Sequence, residues 1–166
     1  METPPKKNRK WIWYFAVLAV LTIIATATLA IYNIRQQLKP EQVNVAIALW
    51  NAKGPKDYVL VYTAKKTDLS GDTDDHYVVK VKDGQAYEVL LNGLPLVEER
   101  QLAYFGMNRL LQYIERFMEI DAEPGSPKTY RRGDFDGKTG ALLRYVRRVM
   151  GTRQRLEITV ESLEAK

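Results

Sequence analysis

The sequence predicts an α+β protein in which one N-terminal transmembrane helix precedes an antiparallel sheet of about five strands with helices packed on one face. Three observations predict it. An uncharged, apolar run of 22 residues, Trp11 to Tyr32, lies near the N-terminus. Beyond it, segments rich in β-branched and aromatic residues are separated by turn chemistry. Two further stretches repeat apolar residues at helical spacing. The expected order after the span is α-βββ-α-ββ, and 166 residues leave room for one core of ordinary size.

The apolar run comes first. As a helix it is about 33 Å long, enough to cross a hydrocarbon layer about 30 Å thick. Trp11, Trp13 and Tyr14 mark one end and Tyr32 the other, where amphipathic rings sit at the headgroup level. Lys6, Lys7, Arg9 and Lys10 precede the run, whereas only Arg35 and Lys39 follow it closely. That bias puts the N-terminus in the cytoplasm and residues 33–166 outside, in the cell membrane as a single-pass protein. The chain thus divides into a basic cytoplasmic tail (1–10), a transmembrane helix (11–32), a juxtamembrane linker (33–39) and a soluble α+β domain (40–166). The rival is a cleavable secretion signal, since Ala25-Thr26-Ala27 and Thr28-Leu29-Ala30 have small residues at peptidase spacing. Signal cores run 7 to 15 residues, and this one is longer.

Pro40 suits a first helical turn, and Val43, Ala46, Ile47 and Trp50 then recur on one face. Gly54-Pro55 ends that helix, with glycine expected in the left-handed cap conformation. YVLVYT (58–63) and YVVKV (77–81) read as strands, joined by the acidic stretch Asp68–Asp75 as a solvated loop. Asp83-Gly84 is two-residue hairpin chemistry leading into the strand QAYEVLL, which Asn92-Gly93-Leu94-Pro95 closes. Met107, Leu110, Leu111, Ile114, Phe117 and Met118 mark one face of a helix from about Gln101 to Ile120. After the loop Pro124-Gly125-Ser126-Pro127, Leu142–Met150 pairs across Gly151-Thr152 with Arg153–Ser162. In the last strand Gln154, Leu156, Ile158 and Val160 point one way, and Arg153, Arg155, Glu157, Thr159 and Glu161 face water.

Trp50-x3-Gly54-Pro55-x2-Tyr58, then Val81-x-Asp83-Gly84, a helix, and Phe135-Asp136-x3-Gly140 form a pattern covering about Ala46 to Leu163. It resembles a family of bacterial exported or membrane-attached proteins known only as a domain of unknown function. The chain departs from that family in having no cysteine near the first strand. The resemblance implies an exported α+β domain and supplies no catalytic residue.

Charge sharpens the reading. Of the formal +5, the first ten residues hold +3, which the topology signal absorbs, and everything after residue 10 carries only +2. Yet nine cations and two acids lie between Lys128 and Arg155, a local +7. Arg144, Arg147, Arg148, Arg153 and Arg155 are therefore the candidate contact residues for anionic lipid or an acidic envelope protein, with Arg144 and Arg148 on one strand face and Arg147 on the other. An external location separates these arginines from nucleic acid.

No catalytic, cofactor or metal signature emerges. Without cysteine there is no disulfide, thiol nucleophile or thiolate metal site. Gly137-Lys138-Thr139 has the tail of a phosphate-binding loop, but the glycine five positions earlier is replaced by Arg132, so a turn between strands is expected. Asp134-x-Asp136 and Asp72-x-Asp74 begin calcium-loop spacing without its closing glutamate. His76 is the only histidine. The expected function is a membrane-anchored binding or scaffolding domain. The alternatives are its secreted, signal-cleaved form and a small membrane-tethered hydrolase, which a deep pocket holding two carboxylates, or holding His76 beside an acid, would favour.

Overall fold

In the computed structural model, residues 10–35, 37–96 and 102–166 are described, and the chain falls into two units, residues 1–36 and 37–166. The basic tail up to Arg9 and the helix start expected at Gln101 lie outside the described residues.

The first unit is helix α1, Lys10–Arg35. Its stretch Trp11–Leu29 is long and apolar enough to cross a membrane, a test that a signal sequence also passes. All the described side chains from Trp11 to Leu29 are exposed. The threonines are already satisfied. Thr22 Oγ1 donates to Leu18 O at 2.8 Å, Thr26 to Thr22 O at 2.6 Å and Thr28 to Ile24 O at 2.8 Å. Such back-bonding lets a hydroxyl sit in hydrocarbon without an orphaned donor.

Among the described residues, the second unit holds a seven-stranded, wholly antiparallel sheet covered by two long helices. Helix α2 is Pro40–Lys53; strands β1 (Tyr58–Asp68), β2 (Gly71–Lys82), β3 (Gln85–Leu91) and β4 (Leu94–Pro95) follow. Helix α3 (Met107–Ala122) leads to β5 (Thr129–Phe135), β6 (Leu142–Val149) and β7 (Arg155–Ala165). The strand order is β4-β3-β2-β1-β7-β6-β5, so the C-terminal strand closes against β1 at the centre.

Period-two alternation decides which face is covered. Tyr58, Leu60 and Tyr62 of β1, Val79 and Val81 of β2, Val89 of β3, Leu142 and Tyr145 of β6 and Ile158 of β7 are buried. Val43 and Trp50 of α2 and Met107, Leu110, Leu111, Ile114 and Met118 of α3 close over them. Leu163 joins Leu156, Ile158 and Val160 on this face despite its odd spacing, because Glu161 is an extra residue where Val61 pairs Ser162 and Tyr62 pairs Val160.

The α+β class and the antiparallel sheet match the sequence expectation; the strand count does not. Two strands were unforeseen. At Asn92-Gly93 both residues have positive φ (52° and 80°), so the chain turns back and Leu94–Pro95 pairs with β3 instead of merely ending it. Strand β5 reads as polar because its core-side residues are Arg131 and Gly133; the arginine faces Asp121 of α3, and the glycine makes room for Leu38. The acidic stretch 68–75 is also mostly strand: β1 runs to Asp68, β2 starts at Gly71, and the turn is Leu69-Ser70. Lys65–Asp74 at 2.9 Å and Lys66–Asp68 at 2.6 Å offset the charge that suggested a loop.

Two boundaries have other causes than expected. Gly54 is extended (φ −64°), not left-handed; a Cβ there would lie 2.6 Å from the Trp50 ring, so close approach demands the glycine. Helix α3 starts at Met107 because Gly106 has φ 102°, and the Met107 N–H is taken by the Tyr58 hydroxyl at 3.0 Å.

That bond gives a test. Tyr58→Phe leaves a buried helix N–H without its acceptor and is expected to cost about 1–3 kcal/mol in thermal unfolding. Tyr145→Phe is the contrast, since its buried hydroxyl has no partner among the described residues. It is expected to stay within about 0.5 kcal/mol of the parent.

Candidate interaction surface

Residues 40–166 are neutral overall, but the charge is segregated along the chain: 40–127 sum to −5, 128–155 to +7 and 156–166 to −2. The strand order converts this into a lateral separation. β1 to β4 form one half of the sheet, and β5 and β6 form the opposite edge.

The pairing register sorts the five candidate arginines. Arg144 pairs with Thr159, and Arg148 with Arg155, on the solvent face; Arg147 pairs with Leu156 on the covered face. Arg147 is therefore a packing residue. It donates through Nε to Asp121 Oδ2 at 3.1 Å and through Nη2 to Oδ1, and its guanidinium lies 4.9 Å from the Phe117 ring centre. The Asp121 bond raises its pKa above the ordinary arginine value, which fixes the charge in place. Arg131, its cross-strand neighbour, approaches the same carboxylate at 3.6 Å.

Arg144 and Arg155 share Glu157. Burial pushes the Glu157 carboxyl up, but the two guanidiniums outweigh it and hold it below the usual carboxylate range. Arg132 lies 3.7 Å from Asp134. Arg148 and Arg153 are exposed and have no acidic partner among the described residues, as is Lys128, whose carbonyl accepts the Met150 N–H at 2.8 Å. The structure thus leaves Arg148 and Arg153 free, engages Arg144 and Arg155, removes Arg147 to the core and adds Lys128. Alternation sets Arg147 apart from Arg144 and Arg148, but nothing local in the sequence names the acid that answers it, because Arg147 and Asp121 are 26 residues apart.

The other tempting motifs resolve as structure. Asp136 organises the β5–β6 turn: its carboxylate accepts from the Thr139 N–H at 2.9 Å and from the Thr139 hydroxyl at 2.6 Å, which holds it below the usual range. Gly140 N–H then donates to Asp136 O at 2.8 Å, and Gly140 packs against α2. Trp50 meets Tyr58 edge to face at 5.6 Å. The separated pieces Trp50, Gly54, Tyr58 and Gly140 therefore converge on one packing point.

His76 does stand beside an acid, with Nε2 3.4 Å from Glu161 Oε2 in an open groove of about 460 Å³ on the solvent face. The Thr63 hydroxyl donates to the same glutamate and holds its pKa low. The carboxylate lies between hydroxyl and imidazole, whereas a nucleophilic triad needs the imidazole in the middle. A cleft of about 400 Å³ beside Tyr58, Phe105 and Gly106 is lined by amides and Arg109, with no carboxylate among the described residues. Glu115 and Glu119 share a groove between α2 and α3, but as successive turns of one helix they form the same wall.

Comparison of the chain with protein-family models, with curated proteins and with solved structures gave no match.

Proposed function

We propose that the chain is a single-pass membrane protein, N-terminus cytoplasmic and residues 33–166 extracytoplasmic, whose external domain is a binding or scaffolding module for another envelope component. Helix α1 carries the reading: an uncharged, fully exposed apolar stretch whose threonine hydroxyls are bonded internally is suited to lipid and costly in water. The excess of basic residues before it supports the orientation. The resemblance of Trp50-x3-Gly54-Pro55-x2-Tyr58 and Phe135-Asp136-x3-Gly140 to exported bacterial domains supports the same side. The contact surface is the arginine-bearing half of the sheet, because its exposed cations outnumber the acids that answer them.

The second reading is the same domain released after Ala27 or Ala30, favoured by the small residues at those points. Intact mass and alkaline extraction of the protein from its native host separate the two. The anchored form is expected at full mass, in the membrane pellet, with the domain removed by protease added outside spheroplasts. A soluble product lacking the first 27 or 30 residues would overturn it.

A further inference from the structure

The point at which the tether meets the domain is set by Leu38. Leu38 is buried, its N–H donates to Arg131 O of the edge strand β5 at 2.9 Å, and a Cβ added at Gly133 would sit 3.0 Å from its Cδ2. The chain therefore joins the domain at the basic edge. Five residues lie between Tyr32, the last of the uncharged run, and Leu38, so the six steps reach at most about 21 Å.

Three positions before Arg131, β5 is preceded by Lys128, and the β6–β7 turn closes beside it. That end of the sheet presents Lys128, Arg148 and Arg153 around Met150, an apolar side chain 55% exposed. The acids of this end are Glu123, in the loop before β5, and Asp68 and Asp72, which the β1–β2 turn brings there because Thr67 pairs with both Arg155 and Asp72. Lys66 holds Asp68, so Lys128, Arg148 and Arg153 leave the end with a positive balance. The β2–β3 turn lies at the far end of the strands, since Tyr58 pairs with Val81 and Thr67 with Arg155.

We propose that this end of the sheet, Lys128, Arg148 and Arg153 with Met150 at the apex, docks on anionic lipid headgroups of the membrane that α1 crosses. The proposal rests on reading α1 as a membrane anchor. Unpaired cations bring the end to an anionic surface, within a Debye length of which their attraction acts, and the exposed thioether enters the headgroup layer. Arg144 and Arg155, already shared with Glu157, contribute less.

The chain has no cysteine, so a single one carries a polarity-sensitive fluorophore cleanly. Full-length Gln154→Cys and Gln85→Cys proteins, labelled at opposite ends of the sheet, are placed in nanodiscs of zwitterionic lipid with or without phosphatidylglycerol. The label at 154 is expected to shift to the lipid signal only with phosphatidylglycerol, and to lose it in 1 M salt as the Debye length falls to about 3 Å. The label at 85 should not respond. Changing Lys128, Arg148 and Arg153 to Glu is expected to weaken the docked state at least about tenfold. The same charge change at Lys53, Lys56 and Lys82, exposed at the other end, should leave it intact. A response at 154 that ignores lipid charge, or survives the triple substitution, would overturn the proposal. So would a label silent in nanodiscs but shielded in native-host membranes, which would assign the surface to an acidic protein. Failure of the chain to enter nanodiscs would instead overturn the anchor reading and the proposal with it.

Discussion

Asp121→Ala is expected to destabilise the domain by about 3–5 kcal/mol, the usual cost of removing one partner from a buried ion pair. The Asp121 side chain is 2% exposed, and those of Arg147 and Arg131 are 17% and 19% exposed. Two guanidiniums thus converge on one carboxylate beneath α3. Without it they face each other across β5 and β6 with little water to screen them. For a domain of this size the melting temperature should fall by about 10–20 °C. The triple change Asp121→Leu, Arg131→Met, Arg147→Met removes the charges together and is expected to recover most of the loss, because an apolar replacement of a buried charge cluster is often neutral. Thermal unfolding of the three proteins checks this. A loss below about 1 kcal/mol for the single change would mean that both arginines escape to solvent.

The same cluster explains what the sequence concealed. A strand reading Thr-Tyr-Arg-Arg-Gly-Asp-Phe has no apolar alternation, since its inward arginine is acceptable only because an aspartate on α3 answers it. Long-range neutralisation is invisible to a window of neighbouring residues. The acidic stretch before His76 misleads for a related reason, its partners being Lys65, across the hairpin from Asp74, and Lys66, two residues before Asp68 on β1. By contrast Asp83-Gly84 was legible because the turn is decided by two adjacent residues, which do hold φ of 52° and 77°. Asn92-Gly93 carries the same signal, and Pro95, a poor strand residue, masked the short β4 that follows. On the candidate surface, faces were legible from alternation, which put Arg147 opposite Arg144 and Arg148. Which cations are already answered was not, because Glu157 and Asp121 reach them only through the fold.

Gly140→Ala is the second severe change expected, and its cause is backbone rather than charge. Gly140 has φ +77°, a conformation that a side chain resists, and a Cβ there would overlap the Ala46 carbonyl oxygen and lie 2.8 Å from Trp50 N. Those atoms belong to the backbone of α2, which holds Trp50 against Tyr58, so relief requires moving the helix off the core. Adding the strain to the overpacking gives a loss of about 3–5 kcal/mol. Gly137→Ala, in the same turn, is the control: its φ is ordinary and nothing lies within 4 Å of an added Cβ. It is expected to change stability by less than about 1 kcal/mol. Equal losses in denaturant unfolding would place the sensitivity in the Asp136–Thr139 turn itself. A loss confined to Gly140→Ala would show that this glycine of the Phe135-Asp136-x3-Gly140 pattern is retained to let the β5–β6 turn lie directly on α2.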